Sequence, residues 1–383
     1  MQIKFRYPAL YFLLVAGIIF SWAAQAAILS VGPGKQFIFP SVAADFAVDG
    51  DIVEIDGHGF YRGDVAVWKQ NNLTLRGVNG RPHLQAAGKS AGHKGIWVIK
   101  GNNVVVENIE FSGAKVPDRN GAGIRQEGNH LTVRNCFFHH NQNGILAGKN
   151  TDSDILIEHS RFQENGAGDG RSHNIYIGNV RELVLRFNII RGARVGHNIK
   201  SRASRNIIEY NIIRDGLNGT ASYQIDLPNG GYSVLLGNSI QQGPYAENYV
   251  LVAYGAEGLK NSDNRLYMAS NTLVNDRHNG VFVKIARNAR AWLYNNLFVG
   301  KGKMLEGPGQ AAFNLKTESP GFVARMRGDY RLTASSPAID KGNSAILAEE
   351  IGLLPGYIPG MEAQPKVRTR QGIIDVGAYE YQK

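Results

Sequence analysis

The sequence predicts an all-β solenoid whose coils each hold three short strands. Three observations carry this: a turn-rich composition and two columns of recurring phrases. Of 383 residues, 46 are glycine, only 19% are charged and 43% are hydrophobic. That balance suits an ordered, turn-rich β protein and excludes a disordered one. The first column reads Val-Val-Val-Glu-Asn-Ile-Glu-Phe over 104–111, Leu-Thr-Val-Arg-Asn-Cys-Phe-Phe over 131–138 and Ile-Leu-Ile-Glu-His-Ser-Arg-Phe over 155–162. It recurs with its last apolar residue at 190, 213, 240, 273 and 298, in steps of 23 to 33 residues. That period is too short for a propeller blade and too strand-rich for helical repeats.

The second column runs Ile124, Ile145, Ile175, Ile199, Ile225, Val250 and Val281. Alternation places these inward, stacked coil upon coil, with their neighbours outward. Asn188, Asn211, Asn238, Asn271 and Asn296 recur where each coil bends. Their amides suit a ladder of stacked turns, and asparagine tolerates left-handed backbone. Cys136, the single cysteine, excludes a disulfide scaffold and is expected to be buried in a strand.

With both columns in place, the chain from about 28 to 300 resembles the right-handed parallel β-helix proteins of the pectin-lyase-like superfamily. The resemblance implies about 9–11 coils, and its phrases speak to architecture rather than activity. The stretch from Val31-Gly-Pro-Gly-Lys35 through Gly59-Phe-Tyr-Arg62 is similar to the opening of such proteins, where a short helix, here about 40–48, covers the first coil. A solenoid end needs such a cap, because it otherwise exposes strand edges and core. Gly328-Asp-Tyr-Arg-Leu332, Ser336–Gly342 and Asp375–Glu380 are similar to closing segments of bacterial β-helix proteins, which gives Asp340 and Asp375 a structural role. The expected division is a leader over 1–26, the capped β-helix over 27–304 and an irregular closing module over 305–383. The Asp-Pro-His-Asp phrase of mannuronan epimerases and the Trp-Ile-Asp-His phrase of pectate lyases are absent, which marks an unassigned branch.

Lys4 and Arg6, an apolar run over 9–20 and Ala24-Gln25-Ala26 read as a secretory signal peptide, so the expected location is secreted or periplasmic. The run is too short to span a bilayer, and no membrane insertion is expected. The net charge of +10 falls to +8 once the leader is removed. A basic protein outside the cytoplasm is expected to meet an anionic polysaccharide, and recognition motifs for nucleic acid are missing. The protein is expected to act as a monomer.

Polar groups gather in three consecutive coils of the second column. Asn174 and Tyr176, Asn198 and Lys200, and Gln224 and Asp226 flank its isoleucines; His173, His197 and Tyr223 precede them, and Arg202 follows. Such a set suits β-elimination from a uronic-acid polymer. Elimination needs cations or amides on the sugar carboxylate, a base for the C5 proton and an acid for the leaving oxygen. Lys200, Arg202, Asn174 and Asn198 suit the first task. His173 or His197 suits the second, with Lys200 as a variant base, and Tyr176 or Tyr223 the third. Gln224, Asp226, Arg125 and an outward Trp97 extend the expected substrate surface. All of these are expected to be outward, and replacing His173, His197 or Lys200 is expected to cost activity with little stability. Hydrolysis would require paired carboxyl groups at a set separation and fits less well, since the column offers Asp226, with Glu127 and Asp169 in loop positions. No cofactor is required, although a divalent cation such as calcium is compatible. A C5-epimerase and a non-catalytic carbohydrate-binding surface or matrix protein are the alternatives.

Overall fold

The computed structural model describes residues 26–350 and 352–382, so the expected leader lies, up to residue 25, outside the described residues. Three parallel sheets run the length of the molecule. Sheet one has 12 strands, from Ile28–Val31 to Gln310–Ala312; sheet two has 11, from Tyr61–Arg62 to Leu315–Thr317; sheet three has 10, from Ala66–Trp68 to Lys303–Glu306. One coil passes from Ile175–Ile177 in sheet three through Val180–Arg186 in sheet one and Ile189–Arg191 in sheet two, then re-enters sheet three at Ile199–Ser201. The strand count agrees with the expected number of coils.

The first recurring phrase spans the end of sheet one, the bend and the start of sheet two. Its last residues pair in register, Phe111 with Phe138, Phe138 with Phe162, and so on to Leu273 with Phe298. They fill the interior, where the Phe138 ring stacks on Phe111 at 5.0 Å and on Phe162 at 4.8 Å. At the bend, the Asn188 amide donates to Asn211 (3.0 Å), Asn211 to Asn238 (3.0 Å), Asn238 to Asn271 (3.0 Å) and Asn271 to Asn296 (2.9 Å). Cys136 sits in this bend and not within a strand; its backbone N–H donates to Ser160, one step before Asn188. Burial pushes its thiol up to about 12, which leaves it unreactive.

In the second column Ile124, Ile145, Ile175, Ile199 and Ile225 pair in sequence, but Ile225 meets Val252 rather than Val250. Val252 and Val283 continue the inward stack in the main core, whereas Val250 and Val281, expected inward, pair with each other and pack with Ala253 and Tyr223 in a small separate cluster. Trp97 is the clearest departure from expectation. It pairs with the inward Ile124, is fully buried, and packs edge-on against Trp68 (5.3 Å) and Phe111 (5.1 Å). An interior ring cannot stack a sugar.

The capping helix is Pro40–Phe46, slightly shorter than 40–48, and buries Pro40, Ala43 and Ala44. Parallel pairing continues past residue 304, through Gln310–Ala312 and Leu315–Thr317. The chain then forms two antiparallel pairs and returns along the flank of the solenoid. Tyr357 packs on Phe187 and Tyr210, the Ala363 carbonyl meets His159, and Gly377 and Ala378 bond Asn295 and Thr272. This strap is pinned inside by Arg368, whose guanidinium binds Glu380 (2.8 Å) and the carbonyls of Gly377 and Asp375. Asp375 accepts the backbone N–H groups of Asp340 and Tyr381, as its structural reading requires.

Candidate active site

On the outer row of sheet three, Arg125, Leu146, Tyr176, Lys200 and Asp226 stand on successive coils. At about 4.8 Å per coil, this brings Tyr176, Lys200 and Asp226 into contact range and leaves Arg125 two coils away. Arg125 is half-buried, 3.8 Å from Glu127, and extends the row rather than joining the cluster.

Asn174, Asn198 and Gln224 are not a substrate surface. All three are fully buried at the corner leading into sheet three, where the backbone turns before it becomes extended. The Asn165 amide donates to Asn174 (2.8 Å), Asn174 to Asn198 (2.7 Å) and Asn198 to Gln224 (2.7 Å). They form a second internal ladder, and sequence spacing alone did not distinguish that corner from an outward strand position.

His173 and His197 are also buried, at 2% and 7% exposure. Their rings stack at 4.5 Å, and each Nδ1 accepts a backbone N–H from the next coil: His173 from His197 (2.9 Å), His197 from Tyr223 (3.3 Å). A ring whose Nδ1 is an acceptor carries its proton on Nε2. Burial, aided by His197, Lys200 and Arg202, holds His173 well below the ordinary histidine range; burial and then Lys200 bring His197 to about 3. Both are therefore neutral Nε2–H donors, not free bases. His197 Nε2 lies 3.5 Å from Asp226 Oδ2 as a neutral donor facing a carboxyl group, and the contact is not an ion pair. Alanine at either position would orphan a buried N–H, so the expected stability-neutral substitution does not hold.

The accessible edge belongs to Tyr176, Lys200, Arg202 and Tyr223, all intermediate in exposure. Lys200 Nζ lies 3.2 Å from Asp226 Oδ2 and 2.8 Å from Glu257 Oε1; Arg202 Nη2 lies 2.8 Å from Glu257 Oε2. Arg202 also donates from Nε to the Tyr176 hydroxyl (3.2 Å) and from Nη1 to Asn229 (2.7 Å). Glu257 reaches over from the loop after Val250–Tyr254, and the sequence columns contained no signal for it. Burial works against its ionisation, yet hydrogen bonds from Lys200 and Arg202 hold it at about 2. Tyr223 packs against His197 at 4.9 Å, and burial, with Asp226 nearby, raises its hydroxyl.

Asp226 is 2% exposed; burial pushes it up to about 6 against the pull of Lys200, and its Oδ1 is buried without a hydrogen-bond partner. A carboxyl group whose folded value exceeds its unfolded value of about 3.8 stabilises the fold fully below that value and loses the contribution as pH rises through 6. Asp226→Asn is therefore expected to raise the melting temperature relative to the parent at pH 8 by more than at pH 4. Equal shifts at both pH values would refute this account of its burial.

Calcium favours a cage of six to eight oxygens. Asp226 and Glu257 are already engaged by Lys200 and Arg202. These residues do not fit calcium.

With the fold and site described, comparison with known proteins places the chain among right-handed parallel β-helices. A family model described as a right handed beta helix region matches residues 63–170. The structure of pectate lyase Pel9A superposes with a TM-score of 0.64 at 13% identity, covering 94% of this chain and 97% of that one. An alginate lyase from Paenibacillus sp. str. FPU-7 gives a TM-score of 0.47 at 12% identity, covering 75% and 99%. No curated protein sequence matches. At 13% identity the likeness to pectate lyase Pel9A shows a right-handed parallel β-helix fold and nothing narrower. Among the described residues, no helix is long and apolar enough to cross a membrane.

Proposed function

We propose that this protein is a secreted or periplasmic polysaccharide lyase that cleaves a uronic-acid-containing polymer by β-elimination over the outer face of sheet three. One observation carries the reading. Lys200 and Arg202 together grip both oxygens of the Glu257 carboxylate, each at 2.8 Å, beside a tyrosine hydroxyl that Arg202 itself holds. A sugar carboxylate presented to this pair takes the place of Glu257, and its neutralisation makes the adjacent C5 proton more acidic.

Tyr176 acts as a phenolate, its oxygen accepting from the Arg202 guanidinium, and takes up that proton. The C5–H electron pair forms the C4–C5 double bond as the C4–O bond breaks, and Tyr223, kept protonated by burial, supplies a proton to the departing oxygen. His197 and Asp226 position Lys200. His173 packs edge-on against the Tyr176 ring at 5.3 Å and orients it.

A panel of purified polyuronates, followed by ultraviolet absorbance, tests the reading. A new unsaturated chromophore on one polymer supports it. Deuterium exchange at C5 without the chromophore would assign epimerisation instead, and binding with neither would leave a non-catalytic carbohydrate-binding protein. Glu257→Gln removes the internal competitor for the cation pair. It is expected to tighten retention in polyuronate affinity gels roughly tenfold, the scale of one charge-assisted hydrogen bond, with retention falling as salt rises. Unchanged retention would mean that Lys200 and Arg202 do not receive the sugar carboxylate.

A further inference from the structure

A second cluster lies on sheet two, away from the face of Tyr176 and Lys200. His83, Glu110 and His139 come from the strands His83–Gln85, Glu110–Ser112 and Phe137–His139 on consecutive coils. Their ligand-capable atoms lie within 4.8 Å of one another. His139 Nε2 is 2.9 Å and His83 Nε2 is 3.5 Å from the same oxygen, Glu110 Oε1. Two imidazole nitrogens and one carboxylate oxygen thus converge from three rigid strands.

His83 Nε2 also meets the Ser112 hydroxyl at 2.7 Å, whereas the line through His139 and His140 is one proton short when both imidazoles are neutral. His139 Nδ1 faces His140 Nδ1 at 2.8 Å, and His140 Nε2 faces Glu164 Oε2 at 3.1 Å. The line Glu110–His139–His140–Glu164 contains three contacts, and each needs one proton. Two neutral imidazoles supply two, so one contact sets lone pair against lone pair. A metal ion between Glu110 and His139 Nε2 removes the deficit. His139 then donates from Nδ1 to His140, and His140 donates from Nε2 to Glu164. That is the outer support metal-bound histidines ordinarily have.

We propose that His83, Glu110 and His139 bind a divalent first-row transition ion, zinc foremost, with His140 and Glu164 orienting His139. Two imidazoles and a single carboxylate favour such an ion over calcium or magnesium, which prefer all-oxygen cages. The site is distinct from the elimination chemistry and stands or falls apart from it.

The test uses the full chain without a polyhistidine tag, stripped with chelator and titrated with zinc chloride by calorimetry. One equivalent is expected to bind at micromolar affinity or tighter, with His139→Ala and His83→Ala each weakening it at least tenfold. His278→Ala, at an unrelated position, should leave binding unchanged. If an alanine variant folds poorly, protection from diethylpyrocarbonate replaces it: zinc should shield His83 and His139 but not His278. No stoichiometric binding, or binding that survives loss of both histidines, would overturn the site. In that case an extra proton, making His139 an imidazolium, closes the network.

Discussion

Tyr176→Phe is expected to lower turnover on the cleaved polyuronate by ~10²-fold or more, the usual scale for a positioned acid or base. KM should hardly move, because Lys200 and Arg202 still bind the carboxylate. Stability should change by less than about 0.5 kcal/mol, since the hydroxyl is only half-buried and contributes one hydrogen bond to an exposed edge. Lys200→Ala should show the complementary pattern, with KM rising along with the fall in turnover. A Tyr176→Phe variant that retains its turnover would remove the tyrosine from proton transfer and return that role to Lys200. Single-turnover absorbance and thermal melts of both variants separate these outcomes.

The largest expected loss of stability lies elsewhere, at Arg368. Its side chain and that of Glu380 are each 2% exposed, and the guanidinium is bonded to Glu380 and two carbonyls. Arg368→Ala leaves the Glu380 carboxylate buried without its counter-charge, which is expected to cost about 3–5 kcal/mol. Arg368→Met with Glu380→Leu removes both charges and should recover most of that loss. Denaturant melts give the magnitude, and limited proteolysis should show the strap after about residue 354 becoming cleavable first. A single variant as stable as the parent would show that the strap is held by its apolar contacts and backbone hydrogen bonds and not by the buried ion pair.

The architecture was legible because a solenoid writes its period into the chain. Phe111 to Phe298 recur at the spacing that sheet two pairs, and the bend asparagines donate as their spacing implied. What the columns misassigned lies where extended geometry stops. By alternation Asn174, Asn198 and Gln224, which precede inward isoleucines, should face outward, but a corner intervenes and turns them inside. Trp97 was misplaced by one step of alternation, which moves any strand residue from surface to core. The three coils of the proposed site stand out in the sequence by their His, Lys, Tyr and Asp content. Glu257 and the tautomers of His173 and His197 were not readable, because they depend on a loop crossing and on backbone N–H groups of neighbouring coils.

The returning C-terminal strap changes how the molecule comes apart. In a stack where each coil touches only its neighbours, stability is close to a sum of local terms, and one end can fray while the other persists. Here a single segment touches His159, Tyr210, Thr272 and Asn295, which belong to well-separated coils. Those coils cannot open one at a time without first releasing the segment that spans them. The strap therefore couples distant repeats into one cooperative unit, with native-state hydrogen exchange slowing together from the coil of His159 to that of Asn295. The coils nearest the amino terminus, which it does not reach, remain free to breathe on their own.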